Sequence, residues 1–463
     1  MDKNIFKKIY EIFKNEKGEI FLVGGSVRDM LMNKELTDLD FATSFLPQKT
    51  REILNKNKIK NFPVGMAFGT VGAIIDGKEI HITTYRKKET YRPRNRKPAV
   101  EFGKTLEEDL KRRDFTINTL VISADGKIID KYNGAKDLQD KLLRTPSDPD
   151  ESFEDDPLRI LRAFRFQSQL GFKIENATYK AIERNAFRIM YISEERIQAE
   201  MNKLLLGDFV VKALTDIMNA KVLNFFIPEL YPLKNLHQES DHHHKDVWLH
   251  TLKVVENTPK NETLRWASLL HDIAKPYVKA EEKNEIHFYR HEELGSKMAY
   301  CILSRLKFPK ELKEDISFLI SKHMRANLYT KEWTDSAVRR FIKEMGHRLD
   351  KVLILSRCDI TSYRKEKVKE KIKLLDELGE RINSLNSVKE LKCPISGDEI
   401  MKHLHLPPGR LIGKIKDFIM NEVIEGRLPQ KAEKGIYFQA VSNFLKTAQI
   451  ENPVKIRAEK GKN

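Results

Sequence analysis

The stretch Ile20-Phe-Leu-Val-Gly-Gly-Ser-Val-Arg-Asp29, followed about a dozen residues later by Thr37-Asp-Leu-Asp-Phe41, decides how the first third of the chain folds. An apolar β-type run stops on two glycines and a helix opens behind it. Glycines at such a turn let backbone amides approach a phosphate, and a helix N-terminus adds partial positive charge. In that setting Gly25 and Arg28 are candidate nucleotide contacts, Arg28 as a bidentate donor. Read alone, the turn is better taken as a plain strand-to-helix connection. In the second piece, strand alternation puts Asp38 and Asp40 on one face and Leu39 and Phe41 on the other. Two neighbouring carboxylates repel, which is tolerable where they share Mg²⁺ ions with a triphosphate. An acidic pair facing water on an edge strand is the bland alternative, and the phosphate cradle just upstream outweighs it.

Outward from this core, 70–75 and 79–84 also read as strands, and from about Phe153 the apolar spacing turns helical. The segment Lys111-Arg-Arg-Asp-Phe-Thr-Ile-Asn118 offers consecutive arginines with Asp114 and Asn118 for a triphosphate and a ribose. Its bland reading is a helix start capped by Asp114 or Thr116. In Asp155-Asp-Pro-Leu-Arg-Ile-Leu-Arg-Ala-Phe-Arg-Phe166 an Asp caps, Pro157 takes the first turn, and Ile160, Leu161 and Phe164 share one side. Arg159, Arg162 and Arg165 fall on the opposite arc, Arg159 nearest Asp156, as a phosphate-binding row or a solvated basic face.

The chain has 463 residues, 40% apolar and 33% charged, which predicts roughly three globular units. No apolar run approaches the ~18 residues of a membrane span, and the first twenty residues lack the apolar core of a secretory signal. Three scattered cysteines fit a reducing compartment, so a cytoplasmic protein with no membrane partner is expected. Lys plus Arg is 84 against 68 Asp plus Glu, a net charge of +16, which favours a polyanionic partner.

Taken together, Val23-Gly-Gly-Ser-Val-Arg-Asp29, Asp38-Leu-Asp40, Arg112-Arg-Asp-Phe-Thr-Ile-Asn118 and Asp156-Pro-Leu-Arg-Ile-Leu-Arg-Ala-Phe-Arg165 occur in an order that resembles the class II, bacterial-type tRNA nucleotidyltransferases, or CCA-adding enzymes, of the poly(A) polymerase superfamily. The resemblance implies an α/β nucleotidyltransferase head of the DNA polymerase β type, then an elongated all-α neck, an HD-type helical body and a helical tail. The corresponding spans are 1–145, 146–235, 236–365 and 366–463, the last as a tRNA-binding segment. It implies template-independent addition of CCA to a tRNA 3′ end from CTP and ATP with Mg²⁺. Asp38 and Asp40 would hold the metal, and Gly25, Arg28, Arg113 and Asp114 would meet the nucleotide. Asp156 and Arg159 would read the base, supported by Arg162 and Arg165. That template has its own physics. Cytosine and adenine present an amino donor beside a ring-nitrogen acceptor, matching a carboxylate and a guanidinium. Uracil and guanine reverse the order and would leave both groups unpaired, at about 1–3 kcal/mol each. The loop Tyr85 to Val100 departs from the family pattern. It lacks the acidic residue after Tyr91 and carries Arg92, Arg94, Arg96 and Lys97, which keeps sister specificities (CC-adding, A-adding, poly(A)) in play.

Further on, His250, adjacent His271-Asp272 and Asp359 resemble, in order, the HD-domain metal phosphohydrolases, with His291 and His323 as candidate extra ligands. Imidazoles and carboxylates suit a divalent transition metal or Mg²⁺ that activates water. A phosphohydrolase acting on RNA ends is therefore the alternative function. The run Lys365 to Lys373 reads as a solvated connecting helix, Ser396 as a helix cap, and the tail beyond Asn452 as basic and frayed.

Overall fold

The computed structural model describes residues 3–34, 39–90, 99–236, 246–282, 285–361, 365–385 and 393–447. Asp38, the basic loop residues Arg92, Arg94, Arg96 and Lys97, and the tail beyond Asn452 lie outside the described residues. The chain forms two compact units, divided between Ser321 and Lys322.

The first unit opens on a mixed sheet. Its strands are β1 (Ile20–Val23), β2 (Leu39–Thr43), β3 (Lys60–Gly65), β4 (Thr70–Ile75), β5 (Lys78–Thr84), β6 (Val121–Ile122) and β7 (Ile128–Ile129), in the order β3-β4-β5-β2-β1-β6-β7. β2 runs parallel to β5 and antiparallel to β1. Alternation sorts the side chains. Leu22, Phe41, Val71, Ile80 and Ile82 bury one face under Ile5, Ile9 and Phe13 of the helix Lys3–Asn15 and Ile53 and Leu54 of the helix Pro47–Lys56. Val23, Ala42 and Val121 point to the other face, against Tyr85 and Leu110. Asp40 shares that second face, as its place between Leu39 and Phe41 predicts.

Helices follow. Pro149–Asp155 ends just before Asp156, whose carboxylate accepts the amide of Leu158 at 3.1 Å and so caps Leu158–Leu170. That helix is buried nearly all round: Ile160, Leu161, Ala163 and Phe164, but also Arg159 and Arg165, are covered. It packs against Glu194–Leu205 and Val210–Asn219. Val247–Asn257, Glu262–Leu270 and His291–Arg305 then build a further helical layer, interrupted by the antiparallel strands Lys279–Glu282 and Glu285–Phe288, which helical spacing did not foreshadow.

In the second unit, Lys365–Ser384 is the predicted polar helix, although Leu378 and Ile382 give it one buried stripe. Gly397–Leu404, Arg410–Ile424 and Lys434–Thr447 close on Ile400, Ile415, Ile419 and Tyr437. Ser396 caps the first of these in a full capping box with Glu399. Among the described residues, no helix is long and apolar enough to cross a membrane.

Candidate active site and metal centre

A cleft of about 420 Å³ opens between the second face of the sheet and the helix Leu158–Leu170, large enough for a nucleotide. Its lining carries six arginines (Arg86, Arg112, Arg113, Arg159, Arg162, Arg196) against four aspartates (Asp40, Asp109, Asp114, Asp156). The surplus of guanidinium suits a polyphosphate.

The floor is built from the glycine turn. Gly24 has φ +69°, and a Cβ there would stand 2.8 Å from Arg113 Nη1, so only glycine keeps both the turn and the arginine in place. Behind it the Ser26 hydroxyl accepts the Asp40 amide at 3.0 Å, tying turn to carboxylate strand. Arg28 is buried rather than presented to the cleft. It donates twice to Asp29 at 2.9 Å and once to Asn118 Oδ1 at 2.9 Å, and its guanidinium lies over the Phe166 ring.

The wall comes from the helix Leu106–Lys111 and the turn after it, so the Lys111–Asn118 segment ends a helix instead of starting one. Asp109, which belongs to no contiguous motif, is 1% exposed and receives Arg112 at 2.6 Å and Arg113 at 2.8 Å. Burial pushes its carboxyl pKa up, but the two arginines outweigh that and hold it well below the usual range. Asp114 is also buried. Its Oδ1 accepts Asn118 Nδ2 and the Phe115 amide, and its Oδ2 accepts Arg162 Nε at 2.7 Å. Again burial raises the pKa and the Arg162 charge and these hydrogen bonds lower it further than burial raises it.

The far wall differs from expectation in one respect. Asp156 does not pair with Arg159 but with Arg196, whose Nη2 sits 3.2 and 3.1 Å from the two carboxylate oxygens. Arg159 instead donates to the Ser152 hydroxyl at 2.7 Å and to the Arg112 carbonyl at 2.5 Å. The reason is local: Asp156 caps its helix and faces the start of Glu194–Leu205, while the guanidinium of Arg159 reaches across to the head. Arg162 lines the cleft on Asp114, but Arg165 lies behind it, paired with Glu200 at 2.7 Å and stacked on Phe166. The arginine row is thus neither solvated nor wholly open to phosphate; it fastens head to neck. The clue to Arg196 was a charged helix start, Ser193-Glu-Glu-Arg196, too common a pattern to single out.

A second cluster lies in the helical layer. His250 and His271 approach Nε2 to Nε2 at 3.2 Å, and Asp272 Oδ2 stands 3.4 and 3.2 Å from them. His291 Nε2 is 3.5 Å from Asp272 Oδ1. All four side chains are buried. His271 and His291 turn Nδ1 to the carbonyls of Ser268 and Phe288, at 2.8 and 2.9 Å. Those contacts place the proton on Nδ1 and leave the Nε2 lone pairs converging on one carboxylate, the outer-shell pattern of a metal ligand. Lys275 Nζ also reaches Asp272, at 2.7 Å. His323 and Asp359 belong to the second unit: His323 is fully buried, and Asp359 ends the helix Leu349–Cys358.

The Poly A polymerase head domain family matches residues 20–144, the "probable RNA and SrmB-binding site of polymerase A" family 171–233, and the HD domain family 241–364. The CCA-adding enzyme of Bacillus cytotoxicus is 30% identical over 432 residues, covering 92% of this chain and 95% of the relative. The fold is similar to that of the Bacillus stearothermophilus CCA-adding enzyme in complex with CTP, with TM-score 0.70, 24% identity and coverage of 96% and 97%. It is also similar to a tRNA nucleotidyltransferase complexed with a primer tRNA and an incoming ATP analogue, with TM-score 0.53, 24% identity and coverage of 80% and 98%.

Proposed function

The chain belongs to the family of CCA-adding enzymes, and from that premise we propose that it is a template-independent tRNA nucleotidyltransferase adding C, C and A to the tRNA 3′ end from CTP and ATP. The observation that carries this reading is the cleft itself. One wall offers Asp40 beside a glycine turn, and the other offers Asp156 among arginines, protein donors and acceptors able to meet a base edge. The RNA 3′ oxygen bonds to the α-phosphorus as the bond to the bridging oxygen breaks, releasing pyrophosphate. Asp38 and Asp40 are hard oxygen donors and fit Mg²⁺. When bound, Mg²⁺ lowers the pKa of the attacking hydroxyl and neutralises the leaving pyrophosphate. Gly24 and Gly25 admit the triphosphate close to the backbone, and Arg113 and Arg162, held by Asp109 and Asp114, face it as fixed charge.

Asp156 and Arg159 recognise the base edge, with Arg196 orienting Asp156; Arg159 must leave its carbonyl partners when the nucleotide arrives. Arg28 and Arg165 stiffen the walls from behind. The head, neck, HD body and tail divide at about 145, 235 and 365, and the basic body and tail grip tRNA by phosphate and shape. A cytoplasmic setting suits a tRNA substrate and the three scattered cysteines.

Labelled CTP and ATP, singly and together, supplied to tRNA ending at the discriminator base and to tRNA ending in CC, test the proposal. Addition of all three residues is expected; addition confined to CC or to the last A would reassign specificity, and none would overturn it. The buried His250, His271, Asp272 and His291 cluster supports a second reading, a metal-dependent phosphohydrolase on RNA ends housed in the HD body. Hydrolysis that survives Asp40→Asn and vanishes in Asp272→Asn is its test.

A further inference from the structure

We propose that His81 is a nitrogen ligand of the divalent ion that accompanies the incoming nucleotide, making the head's metal site a mixed oxygen and imidazole site. The inference rests on the reading that Asp40 holds that ion.

The sheet puts the two residues together. β2 and β5 are parallel neighbours with Asp40 in register with His81. Ile80 and Ile82 point into the helix-covered core, so alternation sends His81 and Thr83 to the face that carries Asp40, and Thr83 lines the cleft beside it. His81 Nε2 lies 3.0 Å from Glu79 Oε1, and its Nδ1 lies 3.8 Å from Asp40 Oδ1. An ionised carboxylate only accepts hydrogen bonds, so the contact with Glu79 puts the proton of a neutral ring on Nε2. Nδ1 then turns a lone pair toward a carboxylate oxygen, acceptor against acceptor, which a shared cation reconciles. Bonds of about 2.1 Å to each atom span at most ~4.2 Å, and adjacent octahedral ligands stand ~3 Å apart, so the observed gap closes by less than ~1 Å.

Glu79, His81 and the ion form the carboxylate–histidine–metal arrangement that fixes a ring's tautomer and direction, with Glu79 as a positioning residue. The chemistry that follows concerns ion choice. Imidazole suits Mn²⁺ and later divalent ions better than Mg²⁺, which favours oxygen. This chain should therefore prefer Mn²⁺ over Mg²⁺ in the head more strongly than an all-oxygen site would.

The experiment uses the full-length chain with CTP and Mn²⁺. Free Mn²⁺ is titrated by its electron paramagnetic resonance signal, and bound Mn²⁺ is examined for ¹⁴N coupling by pulsed methods. The HD histidines offer a second candidate site for the same ion, so the head-bound ion is defined as the component lost in Asp40→Asn. That component should show imidazole ¹⁴N coupling in the native chain. In His81→Gln it should lose the coupling and bind Mn²⁺ about tenfold more weakly, with the preference over Mg²⁺ falling by a similar factor. The exposed Glu79→Gln variant, which poses no threat to folding, should weaken Mn²⁺ several-fold while retaining the coupling. An Asp40-dependent ion without nitrogen coupling, or with native affinity in His81→Gln, overturns the proposal. So does a shifted pH–rate profile with unchanged Mn²⁺ affinity, which would make His81 a proton acceptor for the attacking hydroxyl instead. If no bound Mn²⁺ depends on Asp40, the underlying assignment of the metal to that residue is what has failed.

Discussion

Asp114 and Arg162 are each costly to bury alone and tolerable only as a pair, so removing one partner exposes the cost. Asp114→Asn leaves Arg162 facing Glu200 and Asp156 without its nearest counter-charge; because the Arg162 side chain is a third exposed to the cleft, the loss should fall short of that for a fully buried pair, at about 1–3 kcal/mol. Denaturant titration should show a loss of that size. The pair also has a pH signature. The Asp114 carboxyl is depressed in the folded state, burial raising it and the Arg162 charge and hydrogen bonds lowering it more. Its contribution is thus complete above an unfolded carboxylate pKa of about 3.9 and drains away as pH falls through the lower folded value. Asp114→Asn should therefore destabilise uniformly at neutral pH and flatten the acid limb below about pH 4. Base choice is assigned by the proposed reading to other residues. If Arg159 supplies the donors and Arg196 only steadies Asp156, Arg159→Ala should raise UTP incorporation relative to CTP by about 10–100-fold, the equivalent of one or two unpaired polar groups. Arg196→Ala should lower kcat/KM for CTP and ATP together and shift that ratio less. A larger shift from Arg196→Ala would exchange the two roles.

The helix Leu158–Leu170 sets the geometry of the whole cleft, and its burial on every side makes it sensitive to volume and to charge. Gly207, at the end of Glu194–Leu205, lies so near it that a Cβ would meet Ser168 Oγ at 2.1 Å and the Ser168 carbonyl oxygen at 2.5 Å. Gly207→Ala must push the two helices apart, at about 1–3 kcal/mol, and should slow catalysis, since Asp156 and Arg196 ride on that pair. Sequence made some of this legible. Alternation located β2, β4 and β5 because each buries one face, and the Pro157 start with its apolar side located the helix. β3 escaped because Asn61, Pro63 and Gly65 interrupt its pattern; as an edge strand it tolerates them. β6 and β7 have two residues each, too few for a period to show. Asp40, Asp114, Asp156 and the arginines stood out as contiguous motifs. Asp109, Arg196 and His81 did not, because each gains its partner through packing or register: Arg196 meets Asp156 across 40 residues, and His81 meets Asp40 only because β5 was laid beside β2.

At the scale of the whole chain, a charge of +16 and two separate clusters of candidate metal ligands make distinct demands. Charge should show in RNA binding. Displacing counterions from several phosphates gives a log–log dependence on salt of about −0.9 for each phosphate contacted on a duplex. The tRNA affinity should therefore fall with a slope of about −5 or steeper, whereas CTP, with one triphosphate, should show a much shallower one. The metal clusters should prove separable. Asp40 sits half-exposed on the sheet, and divalent ions held mainly by oxygen exchange readily. The imidazoles of His250 and His271 converge on Asp272 in a buried setting, with the tautomer of His271 already set by a backbone carbonyl, so binding asks mainly that Lys275 release Asp272. Buried nitrogen donors hold borderline metals more tightly than oxygen donors hold Mg²⁺. Dialysis without chelator should then strip the head and leave the HD cluster loaded, and only a strong chelator at length should empty both. Readdition of Mg²⁺ should restore nucleotide incorporation at once, while any hydrolytic activity should need a transition metal. His250→Gln should lose the tightly held metal, read by elemental analysis, and keep incorporation; Asp40→Asn should do the reverse. If either substitution abolished both, the two centres would have to be energetically coupled, and the division of chemistry between sheet and helical layer would be wrong.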